Sequence, residues 1–340
     1  MPGRPFLSMT HRHYRLVIRG LGIALLAGVV AVPLIRQSAY LSTLGSQIGI
    51  HAIIAVGLGL LLGYAGQVSL GHAAFYGLGA YASAILTTSL NWPPLAAMVV
   101  GMLMTGLIAL LVGAPALRLH GHYLAMFTLG LGIIVQIVLE QAENLTNGFD
   151  GITGIPPFHL WVIHFDTDIK SYLLIVIVLA AAIAMAYNLV NSRSGRALRA
   201  LHESEEAARA CGVDVSRAKL EVFVVSAMLA SVAGSLYAHS LGFVSPDPFG
   251  FRFSVQLVVM VIVGGASSVW GPVAGAALFT VLAQFLQQVG EKVPYVDDLD
   301  TVLFGAILVL VVVFWQRGLV SLQWPRRLRP TAAAADDGGS

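Results

Sequence analysis

A chain of 340 residues that is 57% hydrophobic and only 11% charged, with a mean hydropathy of +0.82, is not a water-soluble globular domain, because such domains carry about 25% charged residues. Its net charge of +2, with no basic stripe interleaved with aromatics, excludes a nucleic-acid-binding surface. The single cysteine, Cys211, excludes an internal disulfide and any CxxC pair. The composition points to an all-α polytopic membrane protein whose surroundings are lipid.

Apolar runs predict ten spans, at 16–35, 46–63, 67–89, 95–113, 122–140, 171–190, 218–241, 254–270, 272–289 and 301–316, each close to the ~20 residues that cross a bilayer. Residues 1–15 form a basic lead-in to the first of them, and 16–316 a single transmembrane domain. The run at 16–35 exceeds the about 7–15 apolar residues of a cleaved signal peptide, which predicts a retained anchor. Between Arg36 and Arg118 there is no Asp, Glu, Lys or Arg.

Inside that uncharged stretch, "GQVSLGHAAFYGLGA" from Gly66 places polar side chains where hydrocarbon is expected. On a helix, Ser69, His72, Tyr76 and Ser83 share a sector of about 60°, with Ala73, Gly77, Ala80 and Ala84 beside them. The leucines take the other side, so the pattern predicts one lipid face and one protein face. Two readings of the polar stripe stand side by side: hydrogen bonds between helices, worth about 0.6–2 kcal/mol each, or the lining of a permeation route. Gln67 falls at the helix start, where its amide has free backbone groups to bond.

Further along, 141–170 is punctuated by Gly and Pro and predicts a structured external loop. The cytoplasmic segment 191–217 differs in kind. Six Lys/Arg and five Asp/Glu lie between Arg193 and Glu221, and Gly195 and Gly212 break short helices there. A compact, helix-prone charged segment is what a soluble motor subunit would grip. At "GGASSVWGPVAG", Gly264, Gly265, Gly271 and Pro272 predict a helix break or hinge beside Ser267 and Ser268. The tail 317–340 ends in "TAAAADDGGS" and is expected to be disordered. With both termini cytoplasmic, 15 of the 19 Lys and Arg fall on the cytoplasmic side, as the positive-inside rule asks.

No GxxxxGK[ST] loop is present, so the chain is not expected to hold ATP itself. His120 with His122, and His11 with His13, are spaced i, i+2 and share no helical face, which predicts neither a metal site nor a cofactor. A proton- or sodium-coupled carrier, or a channel, usually has an ionisable residue in the membrane, and residues 37–117 offer only histidines. An intramembrane enzyme built on His72 or His122 lacks a nucleophile and acid at helical spacing.

The strings "GYAGQVSLGHAAFYGLGAYASAIL", "HGHYLAMFTLGLGIIVQIVL", "LTNGFDGITGIP", "SRSGRALRALHESEEAARACGVDV" and "GGASSVWGPVAGAAL", in order from Gly63 to Leu278, resemble the LivM-type permeases of bacterial branched-chain amino acid ABC importers. The resemblance implies a multi-pass inner-membrane permease with an architecture similar to that of vitamin B12-type permeases. As partners it implies a second, LivH-like permease, two cytoplasmic ATP-binding subunits and a periplasmic substrate-binding protein. It also implies that Gly195, Arg196, Glu203, Glu205, Glu206, Ala207 and Gly212 form the segment that docks on the ATPases. Gln67, Ser69, His72, Tyr76, Ser267 and Ser268 become the candidate translocation path, and Gly77, Ala80, Gly264, Gly265, Gly271 and Pro272 the packing or hinge positions. Backbone N–H groups at helix ends near Gly66 and Gly271 are where a solute carboxylate is expected to rest briefly. Where such permeases often read "FGEIVR", this chain has "LGIIVQ", with Ile133 and Gln136 at the charged positions. Similar permeases carry urea, amides and other amino acids, which are the alternative solutes.

Overall fold

The computed structural model describes residues 38–116, 122–160, 163–165 and 167–290. The spans expected at 16–35 and 301–316, and both termini, lie outside them.

In chain order, α1 (Ala39–Gly59) runs on through a π-helical turn (Leu60–Tyr64) and is followed by α2 (His72–Thr88), α3 (Pro94–Ala116) and α4 (His122–Gln141). A short α5 (Glu143–Thr146), a 3-10 turn (Gly148–Asp150), β1 (Ile152–Thr153), β2 (His159–Leu160) and β3 (Ile163–His164) come next. Then come α6 (Asp168–Asn191), α7 (Arg193–Glu203), α8 (Glu205–Ala210) and α9 (Val215–Leu241). β4 (Phe243–Val244), a second 3-10 turn (Asp247–Phe249), α10 (Phe251–Gly264) and α11 (Trp270–Gly290) complete the described chain.

Among the described residues, six helices are long and apolar enough to cross a membrane: Ala39–Tyr64, Pro94–Ala116, Tyr123–Gln141, Asp168–Asn191, Val215–Leu241 and Trp270–Gln288. This is a mostly helical, polytopic membrane architecture. α2, at 17 residues, and α10, at 14, fall short of the ~20 needed. Each adjoins a non-helical stretch, 66–71 and 265–269 respectively.

The helix expected from residue 67 therefore starts five residues later, at His72. Gly66 has φ +67°, which ends the preceding helical path. The Leu70 N–H then donates to Thr128 Oγ1 of α4 at 3.0 Å, in place of a helical bond.

α1 is central, with 83% of its apolar window buried, whereas α4, at 17%, is peripheral. α9 lies against α2, α3 and α1, α6 and α11 pack on α1, and α10 pairs with α11. The antiparallel pairing of β1 with β4, Ile152 opposite Val244, ties the loop after α5 to the loop after α9. Those loops occupy one end of the bundle. α7 and α8 lie at the other, separated from them by the 27 residues of α9, about 40 Å of helix.

Candidate functional site

The polar seam runs along α2 and α9. His72, fully buried, shares one hydrogen bond through Nδ1 with Ser69 Oγ (3.0 Å) and another through Nε2 with Ser226 Oγ (2.6 Å). Toward the loop end, His239 Nδ1 lies 2.7 Å from the Pro156 carbonyl. A carbonyl only accepts, so Nδ1 donates and Nε2 of the neutral ring accepts from Ser83 Oγ at 2.9 Å. Ser235 Oγ in turn donates to Ser83 Oγ at 2.7 Å. Between these two clusters Thr105 donates to Ser231 Oγ at 3.1 Å, and Ser254 Oγ accepts from the first-turn N–H of Ala73 at 3.1 Å.

Ser69, His72 and Ser83 are thus held by other protein groups. Tyr76, the fourth member of the projected stripe, instead faces a cavity described below. Ser226→Ala leaves His72 Nε2 buried without its partner. It is expected to destabilise the solubilised protein by about 1–3 kcal/mol, read as a lower unfolding temperature. An unchanged temperature would deny the pair a structural role.

The backbones of α2 and α9 touch where both lack bulk. A Cβ on Gly79 would fall on the Ser231 carbonyl, and one on Gly234 on the Tyr76 carbonyl and the Ala80 N–H. Ala80 lies at this crossing, while Gly77 faces Phe249 and Leu139. Sequence reasoning missed Gly234 and the α9 polar residues Ser226, Ser231, Ser235 and His239. Helical projection of 218–241 holds part of that signal, because Ser231, Ser235 and His239 share a sector of about 80°, whereas Ser226 lies on the opposite side, between His72 and Gly57 of α1.

At the far end the non-helical stretch 265–269 meets the π-helical turn after α1. Tyr64 Oη donates to the Ser267 carbonyl at 3.3 Å, and Gly63 lies against Ala266. Ser268 Oγ accepts the Trp270 N–H at 3.3 Å, capping α11. Gly264 and Gly271 bring α10 and α11 into backbone contact, Gly265 turns the chain at φ +103°, and Pro272 abuts Gly59. Gln67 does not bond backbone groups at a helix start as expected. It is 3% exposed, and neither of its amide atoms has a partner among the described residues.

The charged segment folds as two capped helices. Ser192, Ser204 and Asp214 accept from the N–H groups of Gly195, Ala207 and Arg217, starting α7, α8 and α9. Leu198, Leu201 and Ala208 turn inward, and Gly195 packs on the end of α6. Arg196, Glu203, Glu206, Ala207 and Gly212 are exposed. Glu205 turns the other way, accepting from the Nζ of Lys219, whose side chain is only 5% exposed. Lys219 had no place in the sequence reading, because only the fold brings it under α8. Gly66 abuts His202 of α7, joining this segment to the stretch before α2.

Of the departures in "LGIIVQ", Ile133 is exposed on the outer face of α4. Gln136 donates to Glu140 Oε1 at 2.9 Å and packs against Gly250. Near the loop end a cavity of about 490 Å³ opens between α1, α2, α9, α10 and α11, with Tyr76, Asp247 and Arg252 in its lining.

Comparison with known proteins agrees with this architecture. The family described as branched-chain amino acid transport system / permease component matches residues 40–312. The chain is 30% identical over 337 residues to the high-affinity branched-chain amino acid transport system permease protein LivM of Escherichia coli K12, covering 92% of this chain and 77% of that one. It is 25% identical over 293 residues to LivH of Salmonella typhimurium, covering 82% and 92%. To a probable LivM of Methanocaldococcus jannaschii it is 20% identical over 314 residues, covering 80% and 90%. No solved structure matches. A family match across most of the chain, on a bundle of apolar helices with a polar interior seam, establishes that this chain belongs to the permease components of branched-chain amino acid transport systems.

Proposed function

We propose that the chain is the permease subunit of an ATP-driven importer that carries a branched-chain or related small amino acid across the bacterial inner membrane. It works with a second, LivH-like permease, two cytoplasmic ATP-binding subunits and a periplasmic binding protein. ATP hydrolysis belongs to those partners. α1–α4, α6 and α9–α11, with the apolar runs at 16–35 and 301–316, make up a ten-span permease similar to the B12 type, both termini cytoplasmic.

The observation that carries this reading is the α7–α8 segment, capped at each turn, clamped to α9 and presenting Arg196, Glu203, Glu206, Ala207 and Gly212 outward. A loose linker needs none of those contacts. ATP-driven closure of the ATPases moves 196–212, the Lys219–Glu205 pair passes the motion to α9, and the helices around 67–83 and 264–278 shift against their neighbours. Ser69 and His72 serve chiefly to hold α2 on α9. Gln67, whose amide has no partner among the described residues, and Tyr76, facing the cavity, are the path residues. Ser267 and Ser268 shape the break beside the π-helical turn.

Reconstitution tests the reading. Liposomes holding both permeases and both ATPases, given binding protein and ATP, are expected to accumulate leucine, and to stop when ATP or either ATPase is withheld. Leucine flux through this chain alone would replace the importer with a carrier or channel.

A further inference from the structure

The cavity near the loop end has an aromatic floor, walls that carry Gln47, His51, Gln256, Thr280, Gln284 and Gln287, and a charged rim. Tyr76 is the centre of the floor, its ring centroid 5.4 Å from that of Tyr237 and 5.4 Å from that of Phe253, which lies 5.3 Å from His51. At the rim, Asp247 begins the second 3-10 turn and Arg252 is the second residue of α10. Both are exposed and both line the cavity. Neither forms an ion pair among the described residues. Arg252 also stands in the first turn of a helix, where the dipole disfavours a cation. Two opposite charges over one cavity, left unneutralised by each other, match a ligand that carries both. The volume lies within the about 300–1,000 Å³ of small-molecule sites.

We propose that this cavity is a reception site for a zwitterionic, apolar α-amino acid. The carboxylate lies toward Arg252 and the free N–H groups opening α10, the ammonium toward Asp247, and the apolar side chain on the Tyr76–Tyr237–Phe253 floor. The assignment rests on the importer reading and deepens it, because urea or an uncharged amide would have no use for the rim pair. Arg252 and Asp247 orient the solute, and the floor selects for its side chain.

Two measurements test it. Saturation-transfer NMR on the solubilised full chain, without partners, is expected to give strong leucine methyl signals at millimolar ligand. The signals should be weaker for leucinamide and for 4-methylpentanoate, each lacking one charge, and lost in Ala283→Trp, which fills the cavity. Equal signals from all three ligands, or none from leucine, overturn the site whatever transport shows. In the complete reconstituted transporter, Arg252→Gln and Asp247→Asn are each expected to lower leucine uptake roughly tenfold or more, the scale of one lost charge-assisted contact, with Arg252→Lys retaining more. Binding-protein affinity and solute-free ATP hydrolysis should not change. Normal uptake in both variants would refute the proposal, and losses matched by weaker binding-protein affinity would refute it in favour of a protein-docking surface. A wild-type complex with no ATP-dependent uptake would defeat the importer reading alone, since the NMR result stands independently of it.

Discussion

Gly234→Val is expected to abolish accumulation of folded permease. Its Cβ would fall between the Tyr76 carbonyl and the Ala80 N–H, and both obstacles are backbone of α2. Overpacking against side chains costs about 1–3 kcal/mol because side chains can yield. A helix backbone yields only by moving the whole helix, so the cost here lies at or above that range. Separating α2 from α9 also stretches the His72–Ser226 and Ser83–Ser235 hydrogen bonds on either side of the crossing. Gly79→Val meets the Ser231 carbonyl at the same crossing and should behave alike. The pair of changes should be little worse than either alone, because neighbouring sites are not additive. Gly130→Ala on α4 has nothing within 4 Å and serves as the neutral control. Size-exclusion profiles and unfolding temperatures of the solubilised variants give the answer, and a Gly234→Val protein as stable as wild type would refute the close approach.

The second large effect separates two adjacent glutamates. If the exposed face of α8 docks on an ATPase as proposed, Glu206→Lys is expected to leave insertion and unfolding temperature unchanged while lowering ATP-driven uptake roughly tenfold or more, because reversing a charge at such an interface costs several kcal/mol of complementarity. Glu205→Gln acts by another route. It strips the counter-charge from Lys219, and breaking a buried pair from one side costs about 3–5 kcal/mol. Glu205 is 32% exposed, so solvent screening reduces that figure, and the loss should appear as local detachment of α8 rather than global unfolding. Limited proteolysis between α7 and α9 is expected to quicken in Glu205→Gln and not in Glu206→Lys. Replacing Glu205 and Lys219 together by leucine should restore protease resistance. Equal behaviour of the two single variants would show that the segment presents no preferred face.

Much of this was legible in the chain itself. Apolar runs locate every described membrane helix, and charge density singles out 193–221, since both follow from local composition. What local composition does not carry is where a helix breaks inside a uniformly apolar run. Ser69, which the projection places on α2, precedes that helix, and its Oγ lies 3.0 Å from His72 Nδ1 from the non-helical stretch. Partners far along the chain were also hidden: Ser226 lies 154 residues from His72, and Lys219 lies 14 from Glu205 across two helix ends. Glu205 and Glu206 look alike in sequence, and only the phase of α8 against α9 gives them different neighbours. Nothing in the sequence singles out Asp247 and Arg252, and only the fold sets both over one aromatic floor.

α9 is pinned at both extremities, by Lys219 to α8 and by His239 to the Pro156 carbonyl. At about 1.5 Å per residue, its 27 residues make a rod about 40 Å long, so a tilt of about 3° about one extremity sweeps the other sideways by about 2 Å. β4 follows α9 directly, so such a sweep passes along the chain to the second 3-10 turn, which begins at Asp247, and through the strand pairing to the loop after α5. On the importer reading, a displacement too small to disturb packing at the charged end would arrive amplified at the cavity rim together with the Pro156 loop that His239 holds, and the leverage is set by the length of a single uninterrupted helix.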